Sequence, residues 1–235
     1  MRAQHILTLL LFSLIVSCSL EQKYSAFKNT FEQDIQALEQ LGDYEEKEDY
    51  LLFIGSSSIR RWNSIKADMA PYVVVKRGYG GAHYYDLIHH VDRLVKNISA
   101  AKAVIIFVAN DISGPNDWDK IHQDLTPREI KKLFKAVVKK IHKQLGDEIP
   151  IFVIETTTPT PSRWHVWGQI STANDLIQEY TEKQANLNFI STRNEFFNKR
   201  GVPKGKYFVK DSLHLSEAGY ELWQETIKDA LNKQL

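Results

Sequence analysis

The chain has 235 residues, 43% of them hydrophobic and 25% charged, with 11 glycines and 7 prolines. That length fits one globular domain with at most a small appendage; the apolar share excludes a mainly disordered chain, and the low glycine and proline counts exclude collagen-like and low-complexity classes. A single cysteine, Cys18, excludes an internal disulfide framework, and a formal charge of +1 argues against a nucleic-acid binder that relies on bulk electrostatics.

The chain opens on Arg2 and His5, followed by an apolar run from Ile6 to Val16 that only Thr8 and Ser13 interrupt. The run is too short for a membrane-spanning helix, which needs about 20 residues, and has the length of the apolar region of a secretory signal peptide. It ends in Ile15-Val16-Ser17-Cys18, which resembles a bacterial lipobox. The resemblance implies a signal peptide over residues 1–17, export, and lipidation of Cys18 as the mature N-terminus, with a membrane as partner. Ser19, in place of Asp, resembles the outer-membrane sorting pattern of Gram-negative lipoproteins.

Residues 18–49 read as a tether followed by one amphipathic helix, with Phe27, Phe31, Ile35, Leu38 and Leu41 at helical spacing. The acidic run from Glu45 to Asp49 reads as a solvated turn. From residue 50 to the end, short apolar runs alternate with helical patterns. Strands are expected at Tyr50–Ile54, Tyr72–Val75, Ala103–Val108, Ile151–Ile154 and Leu187–Ile190. Helices are expected over 84–97, 127–145, 169–186 and 215–233. Thr126 supplies an N-cap with Pro127 at the first helical position, and Gly146 supplies the stop. Continuous apolar strands between helices point to a parallel sheet covered on both faces, hence an α/β three-layer sandwich of about five strands. Sites in such sheets form at the carboxyl ends of strands, which singles out the loops at 55–62, 77–83, 109–116, 155–165 and 209–214.

The first loop reads Gly55-Ser56-Ser57-Ser58. A serine there can present its hydroxyl at the sheet's edge, although helix capping alone accounts for serines in that position. The second holds Gly78, Gly80 and Gly81, which allow close backbone approach or positive φ. The third holds Asn110, an amide donor for an oxyanion or an ordinary turn residue. The fifth reads Asp211-Ser212-Leu213-His214. A hydroxyl nucleophile needs a base, and a carboxylate three residues before the histidine can orient the ring.

The joint order of these blocks resembles the SGNH (GDSL-type) hydrolase superfamily, from about residue 50 to the end of the chain. The resemblance implies a flavodoxin-like fold and a serine esterase that needs no cofactor. Ser57 looks like the nucleophile, and Asp211 and His214 look like the acid and base. The Ser57 amide, Gly81 and Asn110 look like the oxyanion donors, with Gly80 the alternative glycine. Two positions depart from the pattern: Ser56 stands where the best-known form has Asp, and Val108 where the third block usually has Gly. The fourth loop includes Pro161-Ser162-Arg163-Trp164, which resembles a segment of some bacterial members and makes Arg163 and Trp164 candidate pocket walls.

The resemblance further implies ester substrates. A cell-surface anchor favours a short acyl ester, acetyl on carbohydrate first. The alternatives are a lipase, lysophospholipase or thioesterase, or a glycan-binding relative without turnover. No metal set is visible, since Asp86 and His90 stand one helical turn apart without further ligands. His89 and His90 read as surface or half-buried residues, and Lys131, Lys132, Lys139, Lys140 and Lys143 as a solvated helix face.

Overall fold

The computed structural model describes residues 20–41, 49–96, 100–114, 123–155 and 160–235. The expected signal peptide at 1–17 and Cys18 lie outside the described residues, as do residues 42–48 and 156–159. After a 3₁₀ turn at Ser25–Phe27 come α1 (Glu32–Leu41), β1 (Tyr50–Gly55), α2 (Ser57–Arg61), α3 (Ile65–Asp68), β2 (Val73–Gly78) and α4 (Tyr84–Leu94). Then follow β3 (Ala101–Phe107), α5 (Pro127–Leu145), β4 (Ile151–Ile154), a 3₁₀ segment at Pro161–Val166, α6 (Trp167–Thr181), β5 (Leu187–Ile190), α7 (Arg193–Phe196) and α8 (Glu217–Asn232).

The five strands form one sheet in the order β2-β1-β3-β4-β5, and every neighbouring pair is parallel. Alternating side chains feed two cores, as a period of two requires. Leu52, Val104, Ile106 and Val108 face the α4–α5–α6 layer, while Leu51, Phe53, Ile105 and Phe107 face Trp62 and the buried Trp223 of α8. The α/β sandwich expected from the strand–helix alternation is present. The first crossover runs from β1 to β2 and the next returns past β1 to β3. The loops after β1 and β3 therefore leave the sheet at its topological switch point, where such folds open a crevice.

Capping residues set several boundaries. Thr126 accepts from Glu129 N, and Glu129 Oε2 accepts from Thr126 N, so α5 starts where the Thr-Pro pair predicts. Ser216 caps α8 by accepting from Gly219 N, which starts that helix at Glu217 rather than 215. β2 runs three residues beyond the apolar run because its two charged residues serve helix ends. Lys76 Nζ donates to the Arg60 and Trp62 carbonyls at the end of α2, and Arg77 Nη1 donates to the Leu94 carbonyl at the end of α4.

Three expectations change. The N-terminal segment is not one helix: it turns at Asn29–Thr30, residue types that favour turns over helix interiors, and α1 begins at Glu32. Lys140 is not solvated but pairs with Glu21 at 2.6 Å and Asp92 at 2.7 Å, tying the N-terminal segment to α4 and α5. Arg93 of α4 likewise holds Glu32 at 2.7 Å and Glu39 at 2.6 Å. His90 is fully buried, and burial, then the nearby Arg93 charge, pull its pKa down to about 4. Asp86 is occupied too, accepting from Tyr79 Oη at 2.5 Å and His83 N at 2.8 Å.

The loop after β3 is fixed to α4 through Asp111. Its Oδ1 accepts from Tyr84 N at 2.9 Å, and its Oδ2 has no hydrogen-bond partner among the described residues. Burial pushes the Asp111 carboxyl well above the usual carboxylate range, and the Asp86 charge pushes the same way against the Tyr84 amide. The carboxyl therefore keeps its proton in the fold to higher pH than in the unfolded chain, which loses it near about 3.9. Stability from this site falls as pH rises through that value, because only the unfolded chain releases the proton. Asp111→Asn keeps the acceptor and removes the penalty. Thermal unfolding between about pH 4 and pH 7 should show the variant gaining on the wild type as pH rises. Parallel stability curves would contradict a neutral Asp111.

Candidate active site

The site begins at the end of β1. Gly55 has φ of +138°, and a Cβ there would lie 1.8 Å from the Phe107 carbonyl oxygen, so only glycine fits. This close approach lets Ser56 N donate to Phe107 O at 2.8 Å while Gly55 O accepts from Tyr79 N at 2.9 Å. Ser56 is fully buried and its Oγ has no hydrogen-bond partner among the described residues. Its carbonyl caps α2 by accepting from Ile59 N and Arg60 N. Ser57 then opens α2, half-buried, at the crevice.

The fifth loop meets it. His214 Nε2 lies 2.9 Å from Ser57 Oγ, and His214 Nδ1 lies 2.7 Å from Asp211 Oδ2. The other carboxylate oxygen, Oδ1, accepts from Leu213 N and His214 N at 2.9 Å each. The tight turn that allows this places Ser212 at φ 58° and is pinned by Val209 N donating to His214 O. Partial burial pushes the Asp211 carboxyl up, but the hydrogen bonds from the His214 amide and ring and the Leu213 amide outweigh it and hold the pKa at about 2. The carboxylate thus stays ionised across ordinary pH and fixes the ring so that Nε2 faces the hydroxyl. Such a chain can move a proton from hydroxyl to imidazole as the oxygen attacks a carbonyl.

Asn110 stands beside this chain, nearly buried. Its Oδ1 accepts from Arg163 Nη2 at 2.8 Å, and its Nδ2 donates one hydrogen to Ala82 O at 2.9 Å, which leaves one amide hydrogen free. Because a guanidinium only donates, it dictates which end of the amide is oxygen. Arg163 is itself buried, and its Nη1 donates to the Ala109 carbonyl. Burial lowers its pKa to about 10, so it remains a cation at neutral pH. Val108 packs into the α4–α5 core and leaves Asn110 in reach of these partners. Gly81 has φ of +80°, a conformation that disfavours any side chain, and the Phe31 ring lies against it.

Two hollows meet at Ser57. A cavity of about 20 Å³ is walled by Phe107, Ala109, Thr160, Leu215 and Trp223. That is room for about one water-sized group. A groove of about 360 Å³ runs the other way, past Phe31, Arg60, Arg61, Gly80 and Gly81. Ser57, Asn110, Arg163 and His214 line both hollows. Of the two expected walls, Arg163 therefore lines the site. Trp164 does not line either hollow; it is 37% exposed, stacks on Trp167 at 6.0 Å and meets Phe197 edge-on at 5.8 Å. The sequence reading missed Phe31, Arg60 and Arg61. Only the spacing of Ser57, Arg60 and Arg61 at i, i+3 and i+4 signals that the arginines share the serine's face. Among the described residues no cluster of three or more His, Cys, Asp or Glu is placed to hold a metal ion.

A parallel sheet carrying a Ser–His–Asp chain at its switch point defines a hydrolase that acts on esters. Residues 54–222 match the GDSL-like lipase/acylhydrolase family, and the chain belongs to that family. No curated protein sequence matches the chain. Among solved structures it resembles a protein from Streptococcus pneumonia named for platelet activating factor, with a TM-score of 0.70 and 20% identity over 92% of this chain and 98% of that one. A GDSL-like lipase from Bacteroides thetaiotaomicron gives a TM-score of 0.67 and 18% identity, over 89% of this chain and all of the other. An acetyl xylan esterase from Geobacillus stearothermophilus gives 0.60 and 17%, over 81% and 99%. These likenesses carry the fold.

The hydrogen bond from Arg163 to Asn110 Oδ1 predicts that a change at Arg163 reaches turnover through that amide. Arg163→Lys should lower kcat for an aryl acetate by about ten- to a hundredfold, part of what loss of one oxyanion donor costs, with KM little changed. In an Asn110→Ala background the same replacement should cost almost nothing further. Losses that simply add would contradict a positioning role.

Proposed function

We propose that the protein is an exported, lipid-anchored serine esterase that removes short acyl groups, acetyl first, from carbohydrate. The observation that carries the chemistry is the hydrogen-bonded chain from Asp211 through His214 to Ser57, opening onto a cavity with room for one small group. Ser57 Oγ attacks the ester carbonyl while His214 Nε2 takes its proton. The carbonyl oxygen becomes an oxyanion that accepts from Ser57 N, Gly81 N and the free hydrogen of Asn110 Nδ2. Each such donor lowers the barrier by about 2.7–4 kcal/mol. His214 returns the proton to the leaving alcohol, and the acyl group stays on Ser57. A water, deprotonated by His214, then adds to the acyl carbonyl, and the collapse releases the acid and restores the serine.

The small cavity favours acetyl over long chains, because extra methylenes would displace Phe107 or Trp223 from a close-packed core. A fold shared with an acetyl xylan esterase agrees with an acetylated glycan as substrate. Anchoring rests on the apolar run and Ile15-Val16-Ser17-Cys18, and Ser19 favours the outer membrane in a Gram-negative cell.

Hydrolysis of p-nitrophenyl acetate and p-nitrophenyl octanoate by wild type and Ser57→Ala tests this reading. The wild type should favour acetate in kcat/KM by about tenfold or more. Ser57→Ala should lose activity by about 10⁴-fold or more. A preference for octanoate would move the substrate to lipids. Turnover of neither ester above the Ser57→Ala background would favour glycan binding without catalysis.

A further inference from the structure

Arg60 and Arg61 take no part in the steps above. Helix α2 sets them three and four residues after Ser57, so one helix face carries the hydroxyl and both guanidinium stems. Both line the groove that leads away from Ser57 and His214. Both are exposed, and neither forms an ion pair with a carboxylate among the described residues. The Arg60 guanidinium is not swinging free of the protein. It lies over Gly80, where a Cβ would come within 2.6 Å of Nη2, at the lip of the turn that carries Gly81. Lys76, from β2, holds the carbonyls of Arg60 and Trp62 and so fixes the end of α2 from which both side chains leave.

The charge balance of the groove is one-sided. Among the described residues its lining holds three guanidinium groups, from Arg60, Arg61 and Arg163, and no carboxylate. Arg163 is spent on the Ala109 carbonyl and Asn110, so the unassigned pair is Arg60 and Arg61. Scattered surface arginines ordinarily do nothing. Two adjacent ones in a cleft are different, because the low-dielectric walls focus their field on whatever enters. The ring of Phe31 also lines the groove, beside Gly81, and suits the flat apolar side of a ring or short chain. A guanidinium fork matches the oxygens of a carboxylate or a phosphate in a bidentate way that a lysine cannot.

We infer that the groove takes esters whose alcohol portion carries an anionic group, carboxylate or phosphate, held by Arg60 and Arg61 while the acyl group fills the small cavity at Ser57. This rests on the esterase reading and narrows its substrate to acidic alcohols.

Three acetyl esters test it: 4-acetoxybenzoate, its neutral methyl ester, and 4-acetoxyphenyl phosphate. The reading is the ratio of kcat/KM for each anionic ester to that of the methyl ester, at low ionic strength. Comparing the ratio in wild type and in the Arg60→Gln/Arg61→Gln double variant cancels differences in leaving-group reactivity. The ratio should fall by about two- to thirtyfold in the double variant, the scale of two exposed ion pairs. The fall should come mainly through KM, and added salt should shrink it. A fall confined to 4-acetoxybenzoate identifies a carboxylated alcohol, and one confined to the phosphate identifies a phosphorylated one. An unchanged ratio for both, in a double variant that retains the wild-type circular dichroism spectrum, overturns the inference. A second readout is independent of turnover: calorimetric binding of 4-hydroxybenzoate and of 4-hydroxyphenyl phosphate to Ser57→Ala, with and without the two glutamines. Binding of either anion that depends on the arginines supports the groove even if no ester is cleaved, which would overturn the esterase reading alone. Binding of both that is indifferent to them counts against it.

Discussion

The arrangement depends on how closely β1 approaches β3 at Gly55. Where the two strands end, the glycine's missing side chain lets the Phe107 carbonyl come close enough for Ser56 N to reach it, while Gly55 O takes the first amide after β2. Three loops are thereby joined by two backbone hydrogen bonds within two residues. They are the loops that carry Ser57, Gly81 and Asn110. Any side chain at position 55 would drive the β1 and β3 ends apart, and the groups meant to act on one carbonyl would no longer share a crevice. The catalytic geometry is in this sense a property of the sheet edge before it is a property of any side chain.

Around that edge, polar residues are satisfied in ways that also hold the loops. Glu155, at the end of β4, is buried and accepts from Thr192 N, Arg193 N and the Arg193 guanidinium, closing the far side of the edge. Arg163 leaves the fourth loop to fix Asn110 on the third, and Ser162 N donates to Ser212 O on the fifth. The N-terminal segment lies outside the stretch matched by the family, yet its Phe31 reaches the groove and packs 5.1 Å from Tyr79. Its ion pairs with Arg93 and Lys140 are partly exposed and individually weak, so the buried Tyr24 and Ile35 contribute most of its attachment.

Much of this was legible in the sequence because it follows from local rules. Apolar runs with β-branched residues gave strands within a few residues of their ends, and the Thr126-Pro127 and Gly146 signals bounded α5 on both sides. The Asp-x-x-His spacing sufficed to expect one loop to carry both groups, and the structure joins them at 2.7 Å. What was not legible depends on partners distant in the chain. Lys76 and Arg77 look like the end of a strand until the helix carbonyls they serve are known. Lys140 looks solvated until Glu21 and Asp92 arrive, and Arg163, which does line the pocket, shows its second role only once Asn110 is beside it. Phe31 carried an ordinary helical spacing that gave no sign of the turn at Asn29–Thr30 that sends it to Gly81.

The central claim is that Ser57 is a nucleophile activated by His214. Its most direct test is the site of attachment of a fluorophosphonate, which reacts when an activated serine oxygen displaces fluoride from phosphorus. Intact-mass and peptide analysis of the folded wild type should show one phosphonyl group on Ser57, none on Ser57→Ala, and markedly slower addition to His214→Ala. A folded wild type that stays unlabelled, or one labelled at another serine, would contradict the account.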